Sequence, residues 1–144
     1  MAIFDRFLGK RECFVFGSNS EGRHGLGAAR EALLNWGARY GQARGLQGNS
    51  FAIVTKELRP DWPAVSIGEV ADEVFMFLRF ARRNPTMVFR LTPIGCGHAG
   101  FVPEQIAPLF AKAPDNVLLP DEFKVVLKGM KNDRQPTSDG RSAL

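Results

Sequence analysis

Two glycine-rich segments, each placed directly after a short apolar run, limit this chain to a small set of folds. The first is Phe14-Val15-Phe16-Gly17-Ser18-Asn19, continuing through Gly22-Arg23-His24-Gly25-Leu26-Gly27 into Ala28-Ala29-Arg30-Glu31-Ala32. The second is Met87-Val88-Phe89-Arg90-Leu91, then Thr92-Pro93-Ile94-Gly95-Cys96-Gly97-His98-Ala99-Gly100-Phe101, leading into Pro103-Glu104-Gln105-Ile106. Each reads as strand, flexible loop, helix start. Glycine lets backbone approach a ligand closely. The N–H groups at a helix N-terminus favour anions, phosphates above all. Two such loops in one small domain point to a diphosphate held from two sides.

The rest of the chain fits the same scheme. Glu12–Gly17 is a first strand, apolar on both faces as in a covered α/β sheet. A helix is expected over 26–40, with Gly37 loosening or ending it. Gly41, Gly45 and Gly48 mark a loop or hairpin before the strand Ser50–Thr55, which closes with Lys56. Ser66-x-x-Glu69 is a capping box. Val70, Val74, Phe77, Leu78 and Ala81 follow it at helical spacing to about Arg83. Next come a strand Met87–Leu91, a helix from Pro103 to Ala111 and a short strand Asn116–Pro120. Val125-Val126-Leu127 continue briefly as helix or strand. Strands alternating with helices give a three-layer α/β/α domain with a mostly parallel sheet and helices on both faces. Residues 1–11 are a short N-terminal extension containing Phe4, Phe7 and Leu8, 12–128 the single domain, and 129–144 a polar, mobile tail.

The chain has 144 residues and a formal charge of +4. That length suffices for one core without staples. The charge mildly favours an anionic ligand, and no dense basic run marks a nucleic-acid face. Cys13 and Cys96 form no CxxC or zinc-type spacing, and the sequence neither requires nor forbids a disulfide between them. No run approaches a membrane span and no early segment reads as a signal peptide, so a cytoplasmic setting without membrane contact is expected. Nothing calls for a cofactor or metal.

In open α/β sheets, ligands bind beyond the carboxyl ends of the strands. Three segments leave strands there: Ser18-Asn19, Thr55-Lys56, and Ile94 through Phe101. Parallel neighbours would bring them to one crevice. Gly22–Gly27 lacks GxGxxG spacing and no GxxxxGK[ST] occurs, which disfavours dinucleotide and nucleoside triphosphate sites of the usual kind. Cys96 and His98, two apart, could be read as a thiol–imidazole pair, or with His24 as a metal site. More often such a cysteine fills space beneath a glycine loop, and the histidines bond phosphate or ribose or are solvated.

The order of these motifs resembles the macro domain family, whose members bind ADP-ribose. The branch with terminal ADP-ribose–protein glycohydrolases is most similar. Gly25-Leu26-Gly27-Ala28-Ala29 is similar to that branch's Gly-x-Gly-Ile-Ala, and Thr55-Lys56 to its Thr-Lys strand end. Thr92-Pro93-Ile94-Gly95-Cys96-Gly97-His98-Ala99 is similar to its Pro-x-Ile-Gly-Cys-Gly-Leu-Asp, with the proline displaced by one. The resemblance spans roughly residues 13–120. It implies a macro-like fold that holds ADP-ribose or a related nucleotide diphosphate-sugar between the 25–29 and 95–101 loops. Ser18 and Asn19 would hydrogen-bond ribose hydroxyls near the reacting end, and Gly17 before them would also be a ligand-binding residue. Phe101 would lie against adenine or, equally, in the core. Lys56 would be the nucleophile of an ADP-ribosyl glycohydrolase acting on ADP-ribosylated protein or nucleic acid. The assisting acid of that branch is replaced by Ala99, and Lys56 is therefore read first as a charge partner for phosphate or ribose. Two other classes stay open: a non-enzymatic nucleic-acid or protein interaction module with a basic surface, and an enzyme for another phosphorylated small molecule.

Overall fold

The computed structural model describes residues 9–134. Phe4, Phe7 and Leu8 of the expected extension, and residues 135–144 of the expected tail, lie outside them. The chain is α/β, with one five-stranded sheet in the order β2-β3-β1-β4-β5. The strands are β1 (Arg11–Asn19), β2 (Gly45–Gln47), β3 (Ser50–Lys56), β4 (Met87–Leu91) and β5 (Val117–Leu118). All are parallel except β2, an antiparallel edge joined to β3 by the two-residue turn Gly48-Asn49. Gly48 has φ +60 there, and an added Cβ would lie 2.5 Å from the Gly37 carbonyl oxygen. A first turn position of positive φ selects glycine.

The helices are α1 (Gly27–Asn35), α2 (Ile67–Arg83), α3 (Pro103–Ile106) and α4 (Asp121–Arg134), and a 3₁₀ turn spans Ala107–Phe110. Alternation along β1 sorts the two faces. Cys13 and Val15 point with Phe51, Ile53, Phe89 and Leu91 into the larger core, under Val70, Val74, Phe77, Leu78 and Ala81 of α2. The 3₁₀ turn and α4 complete that layer, with the Phe110 and Phe123 rings stacked at 5.9 Å. Phe16 and Ala52 face the other way, where α1 packs through Ala29 and Ala32. Helices therefore lie on both faces, in three layers. Both cysteines are free, and burial pushes the Cys13 thiol up to about 12. Among the described residues no helix is long and apolar enough to cross a membrane.

Several boundaries differ from the sequence reading for identifiable reasons. The first helix stops at Asn35 instead of reaching residue 40, because Gly37 takes φ +78 and turns the chain toward Asn49. The helix expected over 103–111 passes into a 3₁₀ turn at Ala107. Pro108 has no N–H to return to Glu104, so the α ladder cannot continue. The last strand keeps only Val117–Leu118 of 116–120. The expected tail boundary at 129 falls inside α4, which runs through Gly129 to Arg134. One glycine costs a helix about 1 kcal/mol, too little to stop it. Pro120 begins this helix by accepting from the N–H groups of Phe123 and Lys124, with Asp121 and Glu122 in its first turn.

α2 starts as its capping box requires. Ser66 Oγ accepts from Glu69 N at 3.1 Å, and the Glu69 carboxylate accepts from Ser66 N at 3.0 Å. Its far end is tied to β4 by Asn116, whose buried amide lies 3.0–3.2 Å from the Ala81, Asn84 and Met87 carbonyls. Replacing it strands buried acceptors. Asn116→Leu is expected to lower unfolding free energy by about 1–3 kcal/mol, read as a shift in the urea midpoint at unchanged slope.

Candidate functional site

The site begins where β4 parts from β1. Their ladder ends at Val15 and Leu91, whereas β1 stays paired with β3 as far as Asn19 and Lys56. Thr92 closes the β4 side: its N–H donates to Val15 O at 3.0 Å and its hydroxyl donates to the same oxygen at 2.7 Å. Beyond that point the two chains leave toward opposite faces. The strand order reverses here, and a crevice opens over the carboxyl ends. Its volume is about 500 Å³.

Gly17 is at its floor. An added Cβ would stand 3.2 Å from Thr55 Oγ1 and 3.4 Å from Gly95 N, so a side chain here would fit only if its neighbours gave by a few tenths of an ångström. One wall is Gly25, Leu26, Gly27 and Ala28, and the other is Ile94, Gly95, Cys96, Gly97, His98 and Ala99. Ser18, Asn19, Thr55 and Lys56 join them. The three segments named from sequence thus meet in one cleft. Gly100 and Phe101 do not line it. Phe101 instead packs with Ile106 against Gly95, on the core side.

The second loop is a chain of turns. Cys96 N donates to Pro93 O at 3.2 Å with Gly95 at φ +76, the position of a type II turn that demands glycine. Phe101 N then closes the loop on Gly95 O at 2.8 Å. The N–H groups of Gly97, His98 and Ala99 donate to no carbonyl among the described residues. Across the cleft, α1 begins at Leu26 with no side-chain cap and no acidic residue in its first turn. Its leading N–H groups remain open, unlike those of α2.

Charge follows the same pattern. Arg23, Lys56 and His98 line the cleft, and no aspartate or glutamate does. Lys56 is exposed and has no ion pair among the described residues; Arg23 meets Glu21 at 3.5 Å in an exposed contact of little strength. Glu57 points away, as neighbours on an extended segment must. Its carboxylate accepts from Arg59 Nη2 at 2.6 Å, Arg59 Nε at 3.0 Å, Arg59 N at 2.9 Å and the Ser20 hydroxyl. The Arg59 guanidinium, with Ser20 behind it, holds this carboxyl far below the usual carboxylate range.

One sequence reading is corrected here. His24 is buried, not solvated or facing a ligand. Its Nε2 lies 3.0 Å from Gln42 O and 3.1 Å from Gln47 Oε1, both acceptors, so this nitrogen carries the hydrogen. The ring meets Phe16 edge-on at 5.1 Å and supports the first loop from behind. Cys96 lies in the cleft, but burial, then the charges of Glu122 and Glu104, push its thiol up from its ordinary value. A thiol kept protonated is a poor nucleophile. Among the described residues no group of His, Cys, Asp and Glu could hold a metal ion. Asn19 lines the cleft and is also tied to the loop that follows it. Its Oδ1 accepts from Arg23 N at 2.9 Å and Glu21 N at 3.3 Å, and its Nδ2 donates to Arg23 O at 2.9 Å. The amide thereby fixes the turn over residues 19–23.

Sequence reasoning missed Arg23, Leu58, Thr92 and Pro93 as lining residues. Arg23 was readable from its place between Gly22 and Gly25, and Leu58 from standing two residues past Lys56 on an extended segment. No family model matches the chain, and no curated protein matches it.

The glycines separate by role. Gly22 has φ +66, and a Cβ there would sit 2.5 Å from the Gly41 carbonyl carbon. Gly25 and Gly97 have neither positive φ nor any atom within 4 Å of an added Cβ, so the fold makes no demand for glycine at either. Gly22→Ala is expected to cost about 2 kcal/mol or more. Gly25→Ala and Gly97→Ala should leave the thermal midpoint unchanged or slightly raised, as scanning calorimetry would record.

Proposed function

We propose that this protein binds ADP-ribose, or a closely related nucleotide diphosphate-sugar, with the diphosphate between the 25–29 and 95–99 segments. The observation that carries the reading is the pair Gly25 and Gly97, two cleft-wall glycines that the fold itself does not require. Glycine there is explained by a ligand that must come within contact of backbone N–H groups from both walls. An uncapped helix start, two cationic side chains and a wall free of carboxylates all favour an anion. The resemblance of Ile94-Gly95-Cys96-Gly97 and Thr55-Lys56 to the macro domain pattern narrows that anion to ADP-ribose.

The same features favour recognition over hydrolysis. A lysine attacking an anomeric carbon needs a partner to take and return protons. Ala99 stands where the resembling hydrolases carry their acid, and Glu57 is committed to Arg59 and Ser20. Lys56 is then a phosphate or ribose partner that strengthens binding without turning ligand over.

Calorimetric titration tests this directly. ADP-ribose is expected to bind with a dissociation constant on the order of micromolar, and AMP far more weakly. Gly97→Glu places a carboxylate against the diphosphate and should weaken binding by roughly tenfold or more, with the folded-state circular dichroism retained. Lys56→Ala should weaken it by a similar factor. Equal heats for ADP-ribose and AMP would overturn the assignment. Release of ADP-ribose from a modified protein, lost in Lys56→Ala, would overturn recognition without hydrolysis.

A further inference from the structure

The polar side chains of the cleft fall into two sets, those committed to the fold and those left to meet a ligand. The Thr92 hydroxyl is committed to Val15 O at 2.7 Å. The Thr55 hydroxyl donates to Ser18 O at 3.3 Å, and the Ser18 hydroxyl to Asn19 O at 3.4 Å. Both residues are buried at the ends of their strands. Asn19 is the one carboxamide among the described lining residues, and both its ends are occupied. Its oxygen holds the N–H groups of Glu21 and Arg23, and its nitrogen donates to Arg23 O. The Cys96 thiol lies 3.5 Å from Ile94 O. What remains is Arg23, Lys56 and His98, with the N–H groups of Gly97, His98 and Ala99 that donate to no carbonyl among the described residues.

That second set consists of donors and positive charge, and it suits the oxygens of phosphate and sugar. Reading a nucleobase takes other groups. A carboxamide pairs with the N6 and N7 edge of adenine, a carboxylate accepts from an exocyclic amino group, and an aromatic face stacks on the ring. Among the described residues the lining holds no carboxylate, no Phe, Tyr or Trp, and no carboxamide with a free end. Phe101, the aromatic that follows the second loop, packs into the core instead. The larger apolar surfaces offered to a ligand are Leu26, 65% exposed on one wall, and the half-buried Leu58. Aliphatic surface accepts any flat ring and cannot strongly reject one that differs by a single polar group.

From this division we infer that the cleft recognises its ligand by the diphosphate and sugar and is indifferent to the base. The inference rests on the proposed cleft ligand and widens it from ADP-ribose to nucleoside diphosphate-riboses as a class, purine or pyrimidine. It requires no particular direction of the ligand, because neither wall is furnished as a base pocket.

The test is calorimetric titration of the whole chain with ADP-ribose and with its hypoxanthine and uracil counterparts, inosine diphosphate-ribose and uridine diphosphate-ribose. Hypoxanthine replaces the amino group of adenine by an oxygen, and uracil removes one ring. The three dissociation constants are expected to agree within about fivefold, less than the roughly tenfold or more that one bidentate base contact gives. Lys56→Ala and Gly97→Glu should each weaken all three ligands by a common factor. A spread wider than fivefold would overturn base indifference while leaving the cleft reading intact. Equal affinities that neither substitution moves would put the ligand outside the cleft and overturn both readings, as would the absence of heat with all three.

Discussion

Thr92 turns both its N–H and its hydroxyl onto the Val15 carbonyl, and the β1–β4 ladder goes no further. Because β1 stays paired with β3 up to Asn19, the sheet ends in a step instead of a straight edge. Every feature of the cleft is built on that step. Gly17 forms its tread, where Thr55 and Gly95 stand close enough to crowd a side chain. The chain after β1 departs toward the α1 face and the chain after β4 toward the α2 face, so two loops stand opposite each other across the gap. A sheet whose central pair ended in register would present one flat rim with no place for a ligand to enter.

The two faces support this step differently. On the α2 face, rings of Phe51, Phe77, Phe80, Phe89, Phe110 and Phe123 meet in a run of edge and stacked contacts. Burial of such rings is the largest single source of stability available to a chain of this size. The α1 face is thinner. Small Ala28, Ala29 and Ala32 bring the helix start close to the sheet, and behind the loop sits a polar wheel of His24, Gln42 and Gln47. Gln47 Oε1 accepts from Arg39 N at 2.8 Å as well as facing His24, which ties the hairpin, the chain after α1 and the first glycine loop together. Hydrogen-bond direction, not bulk, positions that wall.

Local chemistry made much of this legible beforehand. The strands, the capping box of α2 and the glycine at the turn after Pro93 each depend on residues a few positions apart. Parallel neighbours then follow from the alternation of strands and helices, and with them the meeting of residues 18–19, 55–56 and 94–99. What stayed hidden depends on partners distant in sequence. Nothing near His24 announces Gln42 and Gln47, and nothing near Glu57 announces Ser20, 37 residues away. The full length of α4 escaped for another reason: a brief helix or strand was expected through Leu127, and Gly129 and the polar residues after it read as an ending, while the helix had already been fixed by Pro120, Asp121 and the buried Phe123. Phe101 shows the converse, an aromatic beside a glycine loop that turned inward because Gly95 and Ile106 left a place for it.

The charge states around the cleft bear on what kind of site it is. Proton transfer needs a group that can gain and lose its proton near the working pH. Glu57 is held anionic by Arg59 and Ser20, and Cys96 is held as a neutral thiol by burial and by two nearby carboxylates. Neither shift brings its group toward the working pH, where proton transfer would need it. Glu57 keeps Arg59 in place under Trp62, and a neutral Cys96 adds no negative charge to a wall that offers N–H groups. A cleft lined by Arg23, Lys56 and open backbone N–H groups, with no carboxylate of its own, suits an anion electrostatically, and that is the property on which the proposed function depends.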